Sequence, residues 1–368
     1  MSRKEAYVLP IAIPPLPEQR LIVAKVEELM ALCDRLEAAQ NKREQRRDRL
    51  NAASLNRINQ PSPSADGEAA TSFREYARFH LDQLPRLTTR HEHIKSLRQT
   101  ILNLAVHGYL VPRNPNDEPA SVLLTQIANM KGQPRRRTVT INPESAPYPL
   151  PSNWQWASLD QVITAGPQNG ISPKPTTRED APKAITLTAT TSGTFNPTHF
   201  KRVEATIPDD SAFWLSEGDL LFQRGNTREY VGIAAIYDGP PNCFLFPDLI
   251  MKVRLSSLLN LRFIHLAAVS PPARTFLSEN ASGAQATMPK INQSTLVSLP
   301  IPIPPLAEQH RIVAKVDELM AVCDQLEAQL TATQTDSRRL LEAVLREALV
   351  PAEERELTTH RSRRPPTM

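Results

Sequence analysis

The side chains of this 368-residue chain that could do chemistry are hydrogen-bonding groups on three polar loops. One loop runs from Gln168 through Asn169 and Gly170 to Lys174. A second, Gln223-Arg224-Gly225-Asn226-Thr227-Arg228, sits between two predicted strands. The third runs from Ser282 through Gln285 and Thr287 to Lys290. Arg can donate twice to guanine, and Asn or Gln can pair twice with adenine. The second loop therefore holds the side chains that reading of base edges requires, with phosphate contacts supplied separately. An ordinary hydrophilic hairpin has the same composition and is the plainer reading of the residues alone. The small residues of the third loop would let backbone approach phosphate.

Other candidates carry less. Between positions 150 and 298 there are 12 Lys and Arg against 12 Asp and Glu, so affinity for a polyanion must come from local arrangement or from partners. Arg135-Arg136-Arg137 could meet phosphate, although a run of three in a loop is usually just solvated. His91 and His93 are two apart and point away from each other on a helix, which argues against a metal. Asp209 and Asp248 each follow proline with no acidic-x-Lys partner and read as turn residues. Phosphate-loop, dinucleotide, amino-methyltransferase, serine-hydrolase and zinc-protease motifs are absent from the sequence. Catalysis is expected elsewhere.

Composition sets wide bounds. A net charge of +4 and a pI near 9.0 are a weak pointer to nucleic acid. Cys33, Cys243 and Cys323 are too scattered for a disulfide framework and suggest a reducing compartment. The first residues lack a signal-peptide core, and no apolar stretch approaches the roughly 18 residues of a membrane span, so the cytoplasm is expected.

The elements that must position these loops announce themselves by repetition. Residues 9–40 and 299–330 are identical at 23 of 32 aligned positions, at a constant offset of 290. In both, a proline-rich entry precedes Glu-Gln in the first turn of a predicted helix. Apolar residues then follow at alternating spacings of four and three: Ile22, Val26, Leu29, Cys33 and Leu36, and again Ile312, Val316, Leu319, Cys323 and Leu326. That is a coiled-coil seam. Each helix would exceed about 35 residues, or roughly 50 Å. Two amphipathic helices packing in an ordinary bundle would show the same periodicity, but near-identical surfaces suggest two copies of one partner.

Between the copies, the spacing predicts a linker over about 59–71 and short helices over about 73–107. The first carries Phe73, Tyr76, Ala77, His80, Leu81 and Leu84. The second starts at a Thr89–Glu92 capping box and ends at Gly108. A further helix is capped by Asp117 and ends at Gly132. From Leu150, β-prone runs alternate with turns (184–190, 200–207, 219–223, 230–237 and 249–255), and a helix over 261–269 stops at Pro271-Pro272. The expected class is α+β: a first helical region over 1–107, a mixed domain over 108–298, and a second helical region with a polar tail over 299–368.

Three stretches together resemble the DNA-specificity subunits of type I restriction-modification systems: the repeated IPIPPLAEQHRIVAKVDELMAVCDQLEAQL, the segment LRQTILNLAVHGYLVPRNPNDEPASVLL, and the pair LPSNWQWASLDQV and SGAQATMPKINQSTLVSLPIPIPPL that brackets the middle domain. The resemblance implies a target-recognition domain flanked by long helices forming an antiparallel, coiled-coil-like spacer. It implies double-stranded DNA as ligand, with methyltransferase and restriction/motor subunits as partners. S-adenosylmethionine, ATP and Mg would sit on those partners, with no cofactor here. The order helix-domain-helix resembles the C-terminal half of such a subunit, reading one half of a bipartite site and able to dimerise with a second half. A coiled-coil scaffold, or a non-functional remnant of a split gene, are the alternatives.

Overall fold

In the computed structural model, residues 13–59, 79–80, 83, 86–131, 141, 146–283 and 288–349 are described. The repeated segments are two 44-residue helices, α1 (Leu16–Asn59) and α8 (Leu306–Leu349). Between them lie α2 (His91–His107), α3 (Ala120–Lys131), a single helical turn α4 (Leu159–Val162), α5 (Leu261–Val269), α6 (Pro271–Glu279) and the short α7 (Gln293–Val297). No described helix is long and apolar enough to cross a membrane.

Helix α2 joins the two long helices. Its Arg90 and His93 meet Asp48 of α1, while Asn103 and Thr100 share hydrogen bonds of 3.1 Å with Asn59, so the two helices run parallel. Its Arg98 pairs with Asp324 at 2.6 Å and Glu327 at 3.0 Å on α8. The C-terminal end of α2 lies beside Trp154, whose neighbour Asn153 reaches Glu308 near the start of α8, so α2 and α8 run antiparallel. Helices α1 and α8 are therefore antiparallel, as the spacer reading expects, but they are tied together through α2.

The first seam departs from expectation. Along α1 the buried residues are Asn51, Leu55 and Ile58, all in the part that α2 covers. Ile22, Val26, Leu29 and Leu36 are 48%, 51%, 49% and 61% exposed, and Cys33 is exposed too. Among the described residues no element packs along that stripe, so a seam drawn from periodicity is only half filled there. In α8, Ile312, Val316 and Cys323 are completely buried, and Leu319 and Leu326 pack at the edge of the main core.

Two helix starts also differ. α2 begins at His91 with Arg90 as its cap residue and no side-chain capping bond; Thr89 Oγ1 instead donates to Glu44 on α1. Asp117 does not cap α3, which starts three residues later. It pairs with Arg311 of α8. A long-range hydrogen bond and a long-range ion pair thus took the side chains that local rules assigned to caps. The end of α2 follows the rule: Gly108 adopts φ +76, and a Cβ there would lie 2.7 Å from Pro151. Of the residues expected on the helix before α2, His80 is buried and accepts or donates at Ser54; Phe73, Tyr76, Ala77, Leu81 and Leu84 lie outside the described residues, as do the 60–71 linker and Arg135–Arg137.

The middle of the chain holds a four-stranded antiparallel sheet in the order β2 (Ile163–Asn169), β7 (Ile250–Leu255), β5 (Leu220–Gln223), β6 (Ala234–Ile236). Strands β3 (Lys183–Ile185) and β4 (Phe200–Arg202) form a second pair. Five predicted runs each contain a strand, usually shorter than the run; β2 was not foreseen. The pair β1 (Gln155–Ser158) and β8 (Pro300–Ile303) was not foreseen either. It places the proline-rich entry of α8 against the start of the domain, in the register Gln155↔Ile303 to Ser158↔Pro300. Pro271-Pro272 ends α5, as expected, and also starts α6, where their missing N–H groups cost nothing. One core runs through α2, α3, the sheet, α5 and the first half of α8. Burying side chains such as Ile94, Phe222 and Phe263 contributes about 1.5–3 kcal/mol each.

Candidate nucleic-acid interface

The three polar loops meet around a fourth segment, the turn Pro247–Leu249 between Phe246 and β7. Gly170 N donates to Ile250 O (3.2 Å), Ile171 N to Phe246 O (2.9 Å) and Ser172 Oγ to Asp248 (2.5 Å). On the other side Arg224 N donates to Leu249 O at 2.7 Å. The third loop then closes on the second: Ile291 N donates to Arg224 O (2.8 Å), Asn226 N to Pro289 O (3.4 Å), and Ser282 and Lys290 exchange both backbone hydrogen bonds. Backbone approaches so closely at Gly170 that a Cβ would lie 2.0 Å from Phe246 O. The turn was missed as an organiser because its Pro-Asp signal announces only a bend; Asp209 and Asp248 do both sit in turns.

Within this cluster the predicted contacts divide. Gln223 is completely buried and points away from the surface, its amide spent on neighbouring groups. Asn226 is half-buried, donating to Gln223 Oε1 (2.6 Å) and accepting from Thr227 N (2.8 Å). Asn169 is half-buried at the end of β2, with an enclosed Oδ1 that has no protein partner. Lys174, Thr227, Arg228, Ser282 and Lys290 are exposed and Arg224 is half-buried. Gln285 and Thr287 lie outside the described residues.

The charges of the formally neutral domain are not evenly spent. Arg254 pairs with the buried Asp219 at 2.6 Å, and Lys252 lies 3.5 Å from the same carboxylate while donating to two carbonyls. Burial pulls the Lys252 ammonium below its ordinary pKa, with Asp219 opposing the shift. Arg178 pairs with Asp180 and Arg262 with Asp317; Arg202 and Arg274 donate to backbone carbonyls, and Lys183 lies over Phe200 and Phe244. Lys174, Lys201, Arg224, Arg228 and Lys290 have no ion pair or side-chain hydrogen bond among the described residues. Four of these five stand on the joined loops. The acids beside them are Asp248, tied to Ser172, the exposed Glu229, and the exposed Glu204, whose backbone N donates to Lys174 O at 2.8 Å.

At the opposite end of the domain, α8 is seated by the two residues shared between the repeats. Gln309 donates to Pro304 O and accepts from Asn260 N, both at 3.0 Å. Glu308 is buried beside Asn153 and Trp154, and burial raises its pKa, against the pull of Trp154 and Arg311. In α1 the internal bonds recur: Gln19 donates to Pro14 O (2.7 Å), and Lys25–Glu28 matches Lys315–Glu318 at 2.8 Å. The surrounding wall does not recur, and Glu18 is exposed. His93 is buried on Asp48 and has a structural role.

A mixed domain with a polar loop rim and a helix seated at its other end is the class this architecture defines, and residues 151–333 belong to the family described as "Type I restriction modification DNA specificity domain". Through that segment the chain is a member of the type I specificity family. It is 29% identical over 271 residues to the type I restriction enzyme EcoEI specificity subunit of Escherichia coli, covering 68% of this chain and 43% of that protein. It is likewise 29% identical over 265 residues to the EcoAI specificity subunit of Escherichia coli, covering 68% and 44%. The matches thus span less than half the length of these relatives. A solved chain described under complex assembly and conformational transition of the type I R-M system aligns over 91% of this chain and 60% of its own, at 20% identity and a TM-score of 0.43.

Proposed function

We propose that this chain reads a short DNA sequence for a type I restriction-modification complex, contacting double-stranded DNA through the joined loops. The observation that carries this reading is the placement of Lys174, Arg224, Arg228 and Lys290, cations without an ion pair among the described residues, on the joined loops of a domain whose other cations are largely spent internally. Arg224 and Arg228 are the side chains best suited to base edges, while Lys174, Ser282 and Lys290 suit phosphate. The chain is non-catalytic. Methyl transfer and cleavage, with S-adenosylmethionine, ATP and Mg, belong to modification and restriction subunits that the long helices would hold.

The recognition domain within these residues suits one half of a bipartite site. The second half comes from a second copy of this chain, joined through the exposed stripe Ile22, Val26, Leu29, Cys33 and Leu36, whose four-and-three spacing is self-complementary.

The test is selection from a randomised duplex pool by the chain assembled with its modification subunits. The expected outcome is enrichment of one defined motif, lost with Arg224→Ala and Arg228→Ala. Lys290→Ala should instead weaken all sequences alike and flatten the salt dependence. Retention of duplexes without regard to sequence would sink the reading.

A further inference from the structure

Gln223 is the last residue of β5 and the first of the loop that carries Arg224 and Arg228. Every polar group it has is used. Its backbone N donates to Ile233 O (2.9 Å) and its backbone O accepts from Gly232 N (2.7 Å). Its Nε2 faces three acceptors on a different segment: Leu187 O at 2.8 Å, Thr190 Oγ1 at 2.9 Å and Thr191 Oγ1 at 3.1 Å. Its Oε1 accepts from Asn226 Nδ2 at 2.6 Å. Thr190 and Thr191 also donate to Leu187 O, at 3.2 and 2.9 Å.

One completely buried amide therefore clamps two loops that are more than 30 residues apart in sequence. Beyond the clamp, one loop presents Thr227 and Arg228 and the other presents Ser192 and Thr194, all exposed. A buried amide with both ends satisfied is costly to disrupt, because each group left unpaired keeps its desolvation penalty. Such a residue fixes geometry without touching a ligand.

Resting on the DNA-reading function above, we propose that Gln223 is a positioning residue for sequence discrimination. It locks the Thr190–Thr191 turn to the Arg224–Arg228 loop, and the edge formed by Ser192 and Thr194 belongs to the same reading surface. Base-edge hydrogen bonds tolerate little displacement, whereas phosphate contacts from long flexible side chains tolerate more. Loosening the clamp should therefore cost discrimination before it costs affinity.

The experiment compares the wild-type chain, Gln223→Leu, and the double variant Thr190→Val/Thr191→Val, each assembled with its modification subunits. The probes are a duplex carrying the motif returned by pool selection and the same duplex with one base pair of the motif replaced. The expected result is a fall of about tenfold or more in the affinity ratio of the two duplexes. Binding to the replaced duplex at low salt, and the salt slope, should stay at wild-type values. An unchanged ratio in a variant that folds would overturn the proposal, as would an equal loss on both duplexes. The threonine variant keeps Gln223 and decides the question if Gln223→Leu does not fold. A wild-type chain with no preference for any motif would refute the DNA-reading function itself, which is a different outcome from a wild type that discriminates and variants that match it.

Discussion

The first halves of helices α1 and α8 are near-copies of one sequence in two environments. Val316 is completely buried on α8, while Val26, 290 positions earlier, is 51% exposed on α1. The local bonds are the same in both, from Gln to the proline carbonyl and from Lys to Glu one turn on. What differs is the wall that α8 finds in the domain and that no described residue supplies along the exposed stripe of α1. The helix is thus specified by its own residues, and the seat is specified by something outside it. An apolar stripe of this size left in solvent marks an interaction surface.

The comparison breaks most easily at the seam. Val316→Asp should destabilise the chain by roughly 3–5 kcal/mol, because it buries an unpaired carboxylate. Val26→Asp should change monomer stability by less than about 0.5 kcal/mol. Denaturant titration of both variants checks this, and equal losses would show that the α1 stripe is packed after all. Leu29→Asp or Cys33→Asp should leave the fold intact yet weaken self-association, read by sedimentation; an unchanged assembly state would contradict the assigned stripe.

Thiol labelling sharpens the same contrast. In the native chain Cys33 and Cys243 should react with an alkylating reagent while Cys323 stays protected, since it is buried and burial raises its thiol pKa. Self-association through α1 should then protect Cys33 but not Cys243.

The smallest effect concerns the acid shared by both helices. Glu308 has its folded pKa raised by burial, so it favours the protonated form in the native state. The stability it contributes is present below the unfolded pKa and is lost as pH rises through the folded value. Glu308→Gln should therefore raise the melting temperature near neutral pH, with the gain vanishing as pH falls through the carboxylate range. Glu18 is exposed, and Glu18→Gln should change stability by less than about 0.5 kcal/mol. A loss of stability in Glu308→Gln at neutral pH would show that its charge is needed in the seat.

How much of this was legible in the sequence varies with the range of the interaction. The limits of α1, α2, α3 and α5 came within a residue or two, because periodicity, proline and Gly108 act locally, whereas α6 and α7 were not read. Strands were located but overextended, because β-propensity says where a chain can extend and only pairing says where it does. The caps at Thr89 and Asp117 failed where a distant hydrogen bond and a distant ion pair claimed the side chains. In the loops, residue type suggested Gln223 as a base contact, and only tertiary structure shows its amide turned inward. The exposure of α1 was invisible for the same reason. Its residues spell an interface, but burial depends on what stands opposite.

The central claim is that this chain selects a DNA sequence, and methylation sequencing of a host supplied with the chain and its modification subunits tests it most directly. Methylation should be confined to one defined motif, which changes or relaxes when Arg224 and Arg228 are replaced by alanine. Methylation scattered without sequence preference, or a motif indifferent to those arginines, would contradict it.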